Sequence, residues 1–128
     1  MIKFLALTFI CIVTCFSALA QPSVDDVRNA LNEGAVSEVA KYFDKVVDIT
    51  INSQQSTYSK SQAEVVLKKF FAKNRTKSFS IKHKGNAASD NSIFVIGELA
   101  TATNPYKTYL FFKQKNKVYF LQEIRLEQ

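Results

Sequence analysis

SKSQAEVVLKKFFAKN, residues 59–74, is the longest stretch of the chain with one unambiguous period. Ala63, Val66, Leu67, Phe70 and Phe71 recur at the i, i+3, i+4, i+7, i+8 spacing of one helix face, and Glu64, Lys68, Lys69 and Lys73 fall elsewhere. Ser59 stands three residues before Gln62, which is a capping-box start, and Lys73 suits the negative pole at the far end. Burying two Phe, one Leu and one Val is worth roughly 6 to 12 kcal/mol before ordering entropy is subtracted. This helix therefore needs a large apolar partner.

The partner lies downstream, where the period changes to two. Phe79, Ile81 and His83 alternate with Ser78, Ser80, Lys82 and Lys84, and Gly85 to Asn91 reads as a polar turn. Ser92 to Thr103 reads as an apolar strand with a bulge or bend at Gly97. Tyr106 to Gln114 and Lys117 to Glu127 form a hairpin turning at Lys115-Asn116. Upstream, Ser23 caps a short helix that Gly34 stops, with Val24, Val27, Ala30 and Leu31 inward. Ser37 caps a second helix through Phe43, and Val46 to Asn52 alternates as a strand. Asn52 to Ser56 is a turn, with Thr57-Tyr58 a short returning strand.

Two or three helices and about six strands, mostly antiparallel by short connections, predict an α+β domain with a long helix on a curved sheet. The order helix, helix, strand pair, long helix, four-stranded meander resembles the nuclear transport factor 2-like superfamily, the cone-shaped fold shared with ketosteroid isomerase and scytalone dehydratase. The spacing of Gly34, Phe43, Tyr58 to Ala63 (YSKSQA), Phe70-Phe71, Phe79 with His83, and Gly97-Glu98 is similar to a small family of exported bacterial proteins of unknown function within that superfamily. A cystatin-like helix and sheet is the alternative, and the two preceding helices argue against it.

Residues 1–20 read as a signal peptide: Lys3, an apolar run from Phe4 to Phe16, and Ala18-Leu19-Ala20 before Gln21. The run is shorter than the roughly 20 apolar residues of a membrane span, so no stable span is expected in the mature form. Residues 21–128 are then one domain, periplasmic or extracellular. Cys15 follows Ile12-Val13-Thr14, without the small residue that lipidation favours, and both cysteines, Cys11 and Cys15, leave with the leader. The mature chain thus has no disulfide, thiolate metal site or cysteine nucleophile. Of 17 basic residues Lys3 lies in the leader, which leaves 16 against 11 acidic ones and a net charge of +5. This suits a solvated, lysine-rich exterior, and export without a recognition motif argues against nucleic acid.

His83 is the only histidine, and alternation aims it with Phe79 and Ile81 toward the mouth of the cone. It reads as a pocket acid or base if a carboxylate meets it, with Asp44, Asp48, Glu98 and Glu123 as the available partners; a hydrogen-bonded structural histidine fits the same position. The superfamily resemblance implies a cone pocket, where His83 with Asp48 or Tyr58 would make a small lyase or isomerase of the ketosteroid isomerase type. No phosphate loop, nucleophile elbow or metal-ligand spacing occurs, so no cofactor or metal is implied. Asn74-Arg75-Thr76 is a glycosylation triplet of the kind that chance often supplies.

Strict alternation puts Leu110, Phe112, Phe120, Ile124 and Leu126 toward the long helix and Tyr109, Phe111, Tyr119 and Leu121 outward. An apolar outer face implies a cover, and the resemblance implies a homodimer there. The leading expectation is a non-enzymatic exported module that binds a small apolar molecule, a peptide or its own copy.

Overall fold

The structure is a computed structural model that describes residues 22–86 and 91–128; the expected leader lies outside the described residues. Helix α1 (Pro22–Glu33) ends where Gly34 turns left-handed at φ +69°, a conformation that glycine adopts without strain. Ser23 lies inside this helix rather than capping it, since Pro22 with its fixed φ already occupies a helical position. Helix α2 (Val36–Ala40) is one turn long, follows Ala35 and has no side-chain cap, so Ser37 is likewise internal.

Strand β1 (Phe43–Ile51) begins three residues before the first expected strand position, and Phe43 belongs to it rather than to a helix. It pairs antiparallel with β2 (Gln54–Ser59) across a two-residue turn, Asn52 and Ser53, both at positive φ. Such a mirror-image turn matches strand twist, which is why β2 is longer than Thr57-Tyr58. Helix α3 (Lys60–Lys73) starts at the expected box: Gln62 N–H donates to Ser59 Oγ at 3.3 Å, and Ser59 N–H donates to Gln62 Oε1 at 3.5 Å. Four strands follow: β3 (Thr76–Asn86), β4 (Ser92–Thr101), β5 (Tyr106–Lys115) and β6 (Val118–Glu127). The last hairpin turns at Asn116-Lys117, again both at positive φ.

The sheet order is β2-β1-β6-β5-β4-β3, antiparallel except for the parallel β1–β6 pair. Helix α3 packs over β1 and β2, α1 over β3 and β6, and α2 against both helices, so that Val47, Ile49, Val95, Leu110, Phe112 and Ile124 of the curved sheet share one core with Leu67 and Phe70 of α3. Leu67 is 0 % exposed, but Val66 and Phe71 are half-buried, so the stripe on α3 is narrower than its sequence.

Two bulges decide what the outer face carries. In β6, Glu123 pairs with Phe111 and Leu121 with Phe112, which leaves Gln122 as the extra residue. Because side-chain direction has a period of two, one extra residue reverses every position beyond it. Leu121 is therefore core, at 0 % exposure, and Tyr119 packs against that core, while Phe120 takes their expected place outside. In β3, Ile81 pairs with Gly97 and His83 with Ile96, so Lys82 is the extra residue and His83 is turned to the outer face. Gly97 is not itself the bulge; a Cβ there would lie 2.6 Å from the Ser80 carbonyl oxygen, so glycine is what lets the bulged strand approach.

Candidate functional site

Four chemical arrangements are available. The first is the expected pocket. His83 is exposed on β3 and its ring meets Phe94, with centroids 5.5 Å apart. Asp48 lies on β1 and accepts a hydrogen bond from Thr57 Oγ1 at 2.6 Å, and Tyr58, paired with Val47, points to the helix side. Four strand spacings separate β1 from β3, roughly 19 Å along the sheet. The expected trio does not converge, and no carboxylate bonds His83 among the described residues. Glu98 shares the His83 edge of the sheet but pairs with Ser80 and Lys107, and Glu123 binds Arg125 instead.

The second arrangement centres on Asp44, whose side chain is 10 % exposed. Lys115 Nζ lies 2.7 Å from one carboxylate oxygen, Gln122 Nε2 donates to the same oxygen at 2.8 Å, and the Lys45 N–H donates to the other at 2.8 Å. Burial alone raises this carboxyl, but the bonds from Lys115, Gln122 and Lys45 outweigh it and hold the group at about 2. Gln122 is the bulged residue of β6, so Asp44 fixes the feature that sorts β6 between core and surface. The role is structural.

The third arrangement is a groove along α3. Its wider part, about 550 Å³, lies between β2 and the first half of α3 over Tyr58, Ser61, Gln62, Val65 and Val66. A second part of about 320 Å³ shares Val66 and continues over Phe70 and Tyr106 to Lys69 and Lys73. Its floor is held by a polar cluster that the sequence reading missed. Asn74 Nδ2 donates to the Phe70 carbonyl at 3.1 Å, and Tyr106 Oη and Thr103 Oγ1 donate to Asn74 Oδ1 at 3.2 and 2.7 Å. The signal was present, since asparagine is a helix-ending residue; its amide nitrogen is engaged here in that role.

The fourth is the outer sheet face. Phe94 pairs with Phe111 and Ile96 with Tyr109, Phe120 lies beside them on β6, and Val118 is at the strand's start. Ile96 is 42 % exposed and the aromatic rings are half-buried. Arg125 lies over the Tyr109 ring with its guanidinium carbon 5.3 Å from the centroid. Tyr109 and Phe111 are thus where alternation put them, and Tyr119 and Leu121 are not. Among the described residues no group of three or more His, Cys, Asp or Glu side chains is placed to hold a metal, and no helix is long and apolar enough to cross a membrane.

No protein of curated function matches the sequence. Solved structures do. A protein of the DUF4783 family from Bacteroides ovatus is 28 % identical with a TM-score of 0.80, covering 85 % of this chain and 97 % of its own. Another from Bacteroides uniformis is 32 % identical with a TM-score of 0.77, covering 81 % and 94 %. An NTF-2 like protein of unknown function from Shewanella oneidensis, 13 % identical over 83 % of this chain and 93 % of its own, has a TM-score of 0.61 and shows the fold alone. The α+β architecture of a curved, mostly antiparallel six-stranded sheet under a long helix is that of the nuclear transport factor 2-like proteins. A family model covers residues 24–127, and the chain accordingly belongs to the family described as Domain of unknown function (DUF4783).

Proposed function

We propose that this protein is a non-catalytic interaction module, exported from the cell and working as a homodimer joined through the outer face of its sheet. The observation that carries the reading is the apolar surface of Phe94, Ile96, Tyr109, Phe111 and Phe120 on the side of the sheet away from the helices. An exposed apolar patch of this kind marks a contact surface, and a second copy is the partner always present at equal concentration. Its rim is mixed in charge, with Lys107 and Lys113 on β5 and Glu98 and Glu123 on neighbouring strands, so a two-fold related copy can oppose unlike charges. Export is supported by the Lys3, apolar run and Ala18-Leu19-Ala20 pattern. The non-catalytic reading is supported by the spread of His83, Asp48 and Tyr58 across the sheet.

Light scattering behind size exclusion tests the dimer. Wild type is expected at twice the monomer mass at high micromolar concentration, and Phe111→Lys at the monomer mass with its circular dichroism unchanged. A monomeric wild type at that concentration refutes the proposal.

A further inference from the structure

The two edges of the sheet are not protected alike. An edge strand offers unpaired backbone N–H and C=O groups, and proteins blunt it with lysines, prolines or bulges. Edge strand β3 carries Lys77, Lys82 and Lys84, with register shifts at Lys77 and Lys82. Edge strand β2, QQSTYS, has no charge, no proline and an unbroken register with β1. Nothing in its composition discourages another strand from adding to it.

The wider part of the α3 groove borders that open edge, and the second part continues past the turn between β1 and β2. Val65 is 51 % exposed above it, and Tyr58 and Val66 are half-buried in it. From Ser61 to Lys73 the helix advances roughly 18 Å, which is also about the length of a six-residue strand such as β2. The two are thus matched in length. Charge then gives the groove a direction. Lys68 pairs with Glu64 at 3.4 Å, but Lys69 and Lys73 have no ion pair among the described residues, and both line the end beside Ile51 and Asn52. Ile51 pairs with Gln54, so that end is the start of β2.

We infer that the β2 edge and the α3 groove together form a binding site for an extended peptide segment, which adds antiparallel to β2 with its acidic C-terminal end at Lys69 and Lys73. Backbone bonds to β2 supply affinity, alternate apolar side chains lie over Val65, Val66 and Tyr58, and the two lysines set polarity. The antiparallel sense is the one that adds the peptide's own C-terminal carboxylate to the charge at the two lysines, since a strand opposed to β2 ends where β2 begins. The site lies at a sheet edge, apart from the outer aromatic face, so its test does not depend on the dimer.

The test is selection of a displayed library of random six-residue peptides with free C-termini on the immobilised wild-type protein. Enriched peptides are expected to alternate apolar residues and to end in Asp or Glu. A fluorescein-labelled enriched peptide should bind by anisotropy, and N-methylation of its alternate amides on the β2-facing side should abolish binding. Val65→Asp, and separately Lys69→Glu with Lys73→Glu, should each weaken it at least about tenfold, a loss read directly as a ratio of Kd values. Both changes are at solvent-facing positions, and an unchanged melting temperature verifies folding. A lysine-ended version of the peptide should recover affinity for the charge-reversed double variant. No enrichment over a bare support, no preference for acidic ends, or binding that survives amide methylation would each overturn the inference.

Discussion

Asp44→Asn should erase one specific piece of the pH dependence of stability. The folded carboxyl titrates at about 2 and the unfolded one near the ordinary 3.8, because Lys115, Gln122 and the Lys45 N–H bind the ionised form. A depressed carboxyl stabilises the folded state fully above the unfolded value and loses that contribution as pH falls through the folded value. A shift of this size corresponds to about 2 kcal/mol, of which about half is gone by pH 3. Lys115 is half-exposed, so its share is screened by salt, whereas the bonds from Gln122 and Lys45 are not. The assay is urea unfolding of wild type and variant at one protein concentration, at pH 6 and at pH 3. Other carboxylates titrate in both proteins, so the readout is the stability gap between them. It should narrow by about 1 kcal/mol, equivalent to a midpoint difference shrinking by roughly 0.5 M urea. A gap of the same size at both pH values refutes the assigned role of Asp44.

Gly97→Ala should destabilise by about 1 to 3 kcal/mol, because its Cβ would meet the Ser80 carbonyl oxygen at 2.6 Å and the Phe79 ring at 2.8 Å; thermal melts measure it. Leu67→Ala, at a wholly buried position on α3, should cost about 2 to 5 kcal/mol by the same urea titration. His83→Ala, at an exposed position, should leave stability within about 0.5 kcal/mol, and a larger loss would mean that the ring is part of the core. Intact mass of the secreted protein should correspond to a chain starting at Gln21.

What could be read from sequence was what is settled by near neighbours. Ser59 and Gln62 make their capping box within four residues, and Val47, Ile49 and Ile51 keep their alternation because β1 holds an unbroken register with β2 there. The faces of β6 and His83 were misread for one shared reason. Alternation carries no information past a bulge, and the Gln122 bulge is held by Asp44, 78 residues away in the chain. No local window contains that contact. At Lys82 a trace existed, since Gly97 marks the close approach opposite, but a glycine does not say which of two strands is bulged. The α3 groove was invisible because it depends on where β2 ends up relative to the helix that follows it.

The parallel β1–β6 pair has a consequence for the order of assembly. Asn52 N–H donates to the Leu126 carbonyl at 2.9 Å and Leu121 N–H to the Tyr42 carbonyl at 2.7 Å, so the strand that joins the early half of the sheet to the rest is the last of the six in the sequence. Until it is present, β1 and β2 are a hairpin with an unfilled side, and the contacts that close the sheet span most of the chain. Such long-range closure makes folding slow and late. A chain built this way keeps its sheet open until its C-terminal strand has been made, so truncation anywhere before β6 leaves two unjoined halves rather than a smaller domain.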